Sequence, residues 1–239
     1  MRRKVCITGG SRGIGAALVR RFAENGDEVF FLYNKSHRAA EELSVATGAK
    51  SLSVDVSDPE ILTRAIGEAA KTLGGLDILV NNAGTSLIKL FTDTADDEIL
   101  SLLHTDLLSA AVASREAAKY MIAAQNGYIV NIGSVWGRVG ASCEVAYSAA
   151  KAGMEGLTRA LAKELGPSHI TVNCVEPGVI RTDMNAVLDE ETLAALCDET
   201  PLGRLGEPYE IAEAVFWLTS GKADFITGQC IGIDGGFDG

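Results

Sequence analysis

The chain has 239 residues, 47% hydrophobic and 22% charged, which is enough apolar material for a sizeable core and excludes disordered and fibrous classes. Its net charge of −11, from 32 Asp and Glu against 21 Lys and Arg with no dense basic cluster, argues against a nucleic-acid partner. No apolar run reaches the roughly 20 residues of a membrane helix, and the basic start Met1–Lys4 runs directly into a strand-like segment without a signal-peptide h-region.

Apolar, β-branched runs alternate with helical patterns along the chain. A first strand at Lys4–Thr8 and a glycine-rich turn lead into a helix at Gly13–Asn25, then a strand at Glu28–Tyr33 and a helix at Ser36–Ala46. A strand at Lys50–Val54 precedes a helix at Asp58–Leu73, whose start reads as a Ser57/Glu60 capping box with Pro59 in the first turn. A strand at Asp77–Asn81, one long helix at Ala95–Gln125 and a strand at Gly127–Gly133 follow. The remainder reads as a helix at Tyr147–Leu165, a strand at Ile170–Glu176, a helix at Glu207–Ser220 and a strand at Gln229–Ile233. The strands are apolar almost throughout, as parallel strands covered on both faces must be. Repeated βαβ units predict a single α/β domain over residues 1–239, a Rossmann-like, doubly wound, seven-stranded parallel sheet with helices on both faces. Thr182–Leu205, rich in Asp, Glu and Ala, reads either as a mobile flap over the cleft or as an ordinary connecting helix.

Cys6, Cys143, Cys174, Cys197 and Cys230 are odd in number and show no C-x-x-C spacing, so reduced and mostly buried thiols in a cytoplasmic protein are expected. His37, His104 and His169 are scattered, and no metal site is expected.

The turn after the first strand is Thr8-Gly9-Gly10-Ser11-Arg12-Gly13-Ile14-Gly15. Glycines there let the backbone approach a pyrophosphate at a helix N-terminus, where free N–H groups and the helix dipole favour an anion. Its position between strand and helix makes it a dinucleotide-binding turn. An NAD-specific site usually places an acid at the end of the second strand to bind both ribose hydroxyls. Here that strand runs into Asn34, Lys35 and Ser36. Arg12 with Lys35 or Ser36 suits a 2′-phosphate through charge-assisted hydrogen bonds, so NADPH/NADP is the expected cofactor.

Tyr147 and Lys151 stand four apart on a predicted helix and share a face. Ser134 lies thirteen residues before Tyr147, at the carboxyl end of the fifth strand, where parallel sheets build their sites. A phenol of pKa about 10 is a poor acid–base catalyst near neutrality, and the Lys151 ammonium is expected to lower that value.

The spacing G-x-x-x-G-x-G after Thr8, then Asp55-Val56, Asn81-Asn82-Ala83-Gly84, Ser134, Tyr147-x-x-x-Lys151 and Pro177-Gly178 before Thr182, resembles the short-chain dehydrogenase/reductase family over nearly the whole chain. The resemblance implies a carbonyl reductase in which Tyr147 protonates the developing alkoxide and Ser134 orients the same oxygen. It implies a cofactor held by Gly9, Ser11, Arg12, Gly13, Ile14 and Gly15, with Asp55 and Val56 flanking the adenine. The resemblance further implies that Asn82, Ala83 and Gly84 line the cofactor cleft, that Lys151 binds the nicotinamide ribose, and that Ile180 and Thr182 meet the carboxamide beside Pro177 and Gly178. One position departs from the pattern. The asparagine that completes the family's tetrad is replaced in Thr105-Asp106-Leu107. An ionised aspartate only accepts hydrogen bonds and holds Lys151 as a cation, so an active enzyme with a shifted pH profile is expected.

The Asn-Ile-Gly-Ser turn, Pro177–Met184 and the Ile-Thr-Gly-Gln ending resemble 3-oxoacyl-acyl-carrier-protein reductases, which implies fatty acid biosynthesis and an acidic carrier partner. The basic residues those enzymes tend to place before the fifth and sixth strands are here Ala123–Asn126 and Pro167–His169. The loop from Trp136 to Val145 is similar to reductases of the 5-aminopentanone modification on elongation factor P, another protein-linked carbonyl. Trp136, Cys143 and Glu144 are therefore candidate substrate contacts, and Glu144 either pairs with a substrate amine or faces solvent. A non-catalytic NADPH sensor on the same fold is the competing class. Small residues on the Tyr147–Leu165 and Ala110–Ala124 helices, read through the family, imply a homotetramer.

Overall fold

The computed structural model describes residues 2–183 and 189–237. Seven strands, β1 (Lys4–Ile7), β2 (Glu28–Tyr33), β3 (Lys50–Ser53), β4 (Ile78–Asn81), β5 (Gly127–Ile132), β6 (Ile170–Pro177) and β7 (Cys230–Ile233), form one sheet in the order β3-β2-β1-β4-β5-β6-β7. Every pairing is parallel. Side chains alternate across the pleat, so one strand serves two cores. Cys6, Phe30, Leu32, Leu79 and Ile129 enter the core under α3 (Pro59–Leu73) and α5 (Ser109–Ala124). Val5, Ile7, Phe31, Val80 and Val130 enter the one under α1 (Gly13–Glu24), α2 (His37–Thr47) and α9 (Pro208–Leu218). The order reverses between β1 and β4, and there the connections leave in opposite directions and open a crevice at the carboxyl ends of the strands.

The expected strands all form, with ends shifted by a residue or two. Three helical expectations change. The start of α3 is capped by Asp58, whose Oδ1 accepts from the Glu60 and Ile61 N–H groups at 2.9 and 3.0 Å. Ser57 donates instead to Asp55 Oδ1 at 2.7 Å, because the Asp55 carboxylate closes the preceding turn and captures it. The single helix expected over Ala95–Gln125 is broken into α4 (Asp96–Leu103), a π turn at His104–Leu108, and α5. Thr105 Oγ1 donates to the Ser101 carbonyl and Ser109 Oγ to that of Thr105, so hydroxyls compete for ladder carbonyls on both sides of the widened turn. One short helix, α6 (Val135–Val139) ahead of α7 (Val145–Leu165), was not expected, whereas α8 (Glu190–Glu199) agrees with the connecting-helix reading. The latter lies within Thr182–Leu205, of which residues 184–188 fall outside the described residues.

The thiols are less buried than expected. Cys6 and Cys174 are buried, whereas Cys143, Cys197 and Cys230 are half-exposed, since they sit in a loop, on α8 and on the terminal strand of the sheet. Burial pushes the Cys6 thiol up to about 12, so it stays protonated. No helix among the described residues is long and apolar enough to cross a membrane.

Candidate active site

A cleft of about 970 Å³ runs along the carboxyl ends of β1, β4, β5 and β6. The glycine turn forms one end. Gly9 and Gly13 lie at φ +67° and +51°, in the left-handed region that glycine enters freely. A Cβ on Gly15 would stand 2.1 Å from the Gly9 carbonyl oxygen, so no side chain fits there. The turn is held from below. Thr8 Oγ1 accepts from the Asn82 and Ala83 N–H groups at 3.0 Å, and Asn82 Nδ2 donates to the Thr8 and Gly9 carbonyls at 3.0 Å. Asn82 is thus a brace for the turn as well as a lining residue.

The same lining carries Ser11, Arg12, Ile14, Asn34, Lys35 and Ser36, with Asp55 and Val56 beyond β3. Arg12, Asn34 and Lys35 are exposed, and Arg12 lies 3.6 Å from Asp183 in a loose ion pair. Asp55 is held below the ordinary carboxylate range by hydrogen bonds from the Ser57 side chain and backbone. Pro177, Gly178, Ile180 and Thr182 close the lining from β6, and a Cβ on Gly13 would lie 3.3 Å from Thr182 Cγ2. A diphosphate-bearing nucleotide fits this end. The backbone is stripped of side chains where it must come close, α1 begins there, and two cations line the same end, Arg12 in the glycine turn and Lys35 just after β2.

The other end holds Ser134, Tyr147, Lys151 and Asp106, all buried or nearly so at 7%, 9%, 4% and 0% exposure. Ser134 caps α6, accepting from the Trp136 N–H at 3.2 Å, which leaves its own proton free to donate. Lys151 Nζ donates to the Ile132 carbonyl at 3.1 Å and lies 3.2 Å from Asp106 Oδ2. An ammonium has three N–H groups; Ile132 takes one, and Asp106 Oδ2 faces the group as a counter-charge without a hydrogen bond of its own, so at least one N–H remains for the cleft. The π turn aims Asp106 inward, where its Oδ1 accepts from the Thr85 N–H at 2.9 Å. The pair also explains Gly84, since a Cβ there would meet Asp106 Oδ2 at 2.8 Å and Lys151 Nζ at 3.3 Å.

The electrostatics correct one expectation. Lys151 and the Ser134 hydrogen bond do pull Tyr147 down, but burial outweighs them, and Asp106 and Glu144 add to it, so the phenol sits above its ordinary value. Burial works to lower Lys151, yet Asp106 and Tyr147 together carry it above the ordinary lysine value. Asp106 is raised by burial against the opposing pull of Lys151 and Thr85.

Of the three expected substrate contacts, Trp136 and Glu144 line the cleft and Cys143 does not. Cys143 is at φ +64°, and its carbonyl accepts from the Lys89 N–H at 2.8 Å, so it shapes the loop. Glu144 is half-buried, and burial raises its carboxyl. Phe237 was not anticipated. It lines the cleft, is 2% exposed, and meets Trp136 edge-on with ring centroids 5.3 Å apart. Arg138 ties it down through Asp234 at 2.7 Å and the Phe237 carbonyl at 3.2 Å. Its only sequence signal is an aromatic after Gly235-Gly236.

A doubly wound parallel sheet with this glycine turn and a buried Ser–Tyr–Lys group is the architecture of an oxidoreductase acting on CH–OH and C=O groups. The chain belongs to the short-chain dehydrogenase/reductase family, and a family model described as enoyl-(acyl carrier protein) reductase matches residues 9–238. Among its relatives is carbonyl reductase family member 4 of Danio rerio, 41% identical over 99% of this chain and 98% of that one. The 3-oxoacyl-[acyl-carrier-protein] reductase FabG of Aquifex aeolicus is 39% identical over 96% of this chain and 95% of its own. A short-chain dehydrogenase/reductase from Serratia marcescens superposes with a TM-score of 0.92 at 38% identity, covering 100% of this chain and 99% of that one.

Proposed function

We propose that the chain is an NADPH-dependent ketone reductase whose substrate is a 3-oxoacyl group on a carrier protein. The observation that carries the reading is the placement of Ser134, Tyr147 and Lys151 along the wall of the cleft that begins at the glycine turn. When bound, the nicotinamide supplies hydride to the carbonyl carbon. Tyr147 gives its phenolic proton to the oxygen as charge develops there, and Ser134 donates a hydrogen bond to the same oxygen. Lys151, its other contacts fixed by Ile132 and Asp106, directs its remaining N–H toward the ribose hydroxyls and steadies the phenolate left on Tyr147. A phenol above its ordinary value is fully protonated at neutral pH, which suits the reductive direction. The named relatives support the acyl substrate.

A second reading, reduction of the 5-aminopentanone group on elongation factor P, is favoured by Glu144, a half-buried carboxylate on the cleft wall that would pair with a substrate amine. NADPH oxidation by the purified protein distinguishes the two. Turnover of a 3-oxoacyl carrier protein alone supports the first reading, and turnover of the modified factor alone, lost in Glu144→Gln, supports the second. Silence on both substrates points to a cofactor sensor.

Arg12 and Lys35 are assigned to the 2′-phosphate. Removing both in Arg12→Ala/Lys35→Ala deletes charge-assisted hydrogen bonds worth ~1.5–3 kcal/mol each. The expected result is a KM for NADPH raised at least roughly tenfold with that for NADH unchanged, since 1.4 kcal/mol is about tenfold. Equal changes for both cofactors would remove the assignment. The smooth faces of α5 and α7 are proposed as tetramer contacts, a state that sedimentation reads directly.

A further inference from the structure

Outside the cleft, β6 and β7 bring together three groups that no part of the proposed reaction uses. Cys174 and Cys230 are register partners on these adjacent parallel strands, and Glu176 lies two residues along β6 on the same face of the sheet. The two sulfurs and a Glu176 carboxylate oxygen all lie within 4.8 Å of one another. Cys174 and Glu176 are buried at 0% and 2% exposure, and Cys230 is half-buried. Gly133 makes the space, because a Cβ there would stand 2.7 Å from Cys174 Sγ and 3.3 Å from Glu176 Cγ.

The cluster is also incompletely satisfied. Glu176 Oε1 is buried with no hydrogen-bond partner among the described residues. The nearest guanidinium, Arg138, is 3.9 Å from the other oxygen, Oε2, and makes its close pair with Asp234 at 2.7 Å. A buried carboxylate oxygen without a partner is costly, and a cation beside it removes the cost.

We propose that Cys174, Glu176 and Cys230 form a site for a thiophilic divalent cation, Zn2+ by preference, with the fourth position left to solvent. Two thiolates and one carboxylate are a donor set that suits tetrahedral zinc and poorly suits the hard cations Mg2+ and Ca2+. A Zn–S bond of about 2.3 Å in a tetrahedron puts two sulfurs roughly 3.8 Å apart. The observed spacing reaches that by small rotamer changes. Binding breaks two S–H bonds, releases both protons to solvent and forms two metal–sulfur bonds, with no change of oxidation state. The ion would tie β7 to β6 directly behind the turn that carries Ser134, a structural role. It differs from the metal-free expectation drawn from histidine scatter because neighbouring strands, not local spacing, create the site.

The test is a Co2+ titration of the reduced full-length protein. The expected result is thiolate-to-metal charge-transfer absorption saturating at about one equivalent per chain, proton release with it, and displacement by Zn2+. Cys230→Ser, at a half-exposed position, should abolish the band, and Glu176→Gln should keep it at weaker affinity. Absence of the band at stoichiometric Co2+ in the wild type, or its survival in Cys230→Ser, would overturn the proposal. The readout is spectroscopic, so it does not depend on whether the reductase reading holds.

Discussion

Replacing Tyr147 by phenylalanine is expected to lower kcat/KM for ketone reduction by about 10²- to 10⁴-fold, the range that a positioned general acid contributes. The ring stays. Tyr147 packs with Leu102 and Ala150 and has Lys151 Nζ 5.4 Å from its centroid, and phenylalanine keeps those contacts while losing only the hydroxyl. Stability and NADPH affinity should therefore change little, which separates a chemical role from a structural one. Steady-state rates together with cofactor binding by fluorescence make the check. A variant that keeps wild-type turnover would show that another group supplies the proton. Ser134→Ala should cost less, because it removes a hydrogen bond to the oxygen and leaves the proton source in place.

The second large effect concerns Asp106. Asp106→Leu leaves the Lys151 ammonium buried against Ile132 with its counter-charge gone, and breaking a buried pair in this way costs about 3–5 kcal/mol. Thermal unfolding should record a marked drop in Tm. Asp106→Asn keeps the shape and removes the charge, and its effect is on titration. Asp106 raises both Tyr147 and Lys151, so both fall in the variant. Reduction needs protonated Tyr147 and fails as pH climbs through its value, so the alkaline limb of kcat/KM should move to lower pH. In the alcohol-oxidising direction, which needs the phenolate, activity should appear at lower pH. Limbs that stay in place in both directions would remove Asp106 from the titrating group.

Stability follows the same linkage. With the folded value of Lys151 above the unfolded one near 10.4, its contribution is complete below that pH and is lost as pH rises through the folded value. Asp106, raised by burial, acts at the other end of the scale, where proton uptake by the folded state favours the fold as pH falls.

Much of this site is legible in the chain because it is written locally. Apolar runs mark strands buried on both faces, the glycines of Thr8–Gly15 sit where a helix begins, and Tyr147 and Lys151 share a face by helical spacing alone. What escapes such reading depends on neighbours distant in sequence. Phe237 is held at the cleft by residues about a hundred positions away, Arg138 at its carbonyl and Trp136 at its ring. Cys174 and Cys230 meet only through strand register. The direction of the Tyr147 shift turns on how deeply the phenol is buried, which no spacing reports. The Ser57/Glu60 box gave way to Asp58 because the Asp55 carboxylate holds the Ser57 hydroxyl in the preceding turn.

The π turn at His104–Leu108 also separates the chain into two angular frames. Each residue of an α-helix turns the chain by about 100°, and a π turn accommodates one residue more than an α turn. The apolar stripe of α4 and that of α5 are therefore out of phase by one position. Deleting a residue from this segment would give a straighter and more regular helix. It would also rotate Asp106 by about 100° away from Lys151, so regularity and the buried ion pair are mutually exclusive in this stretch of chain.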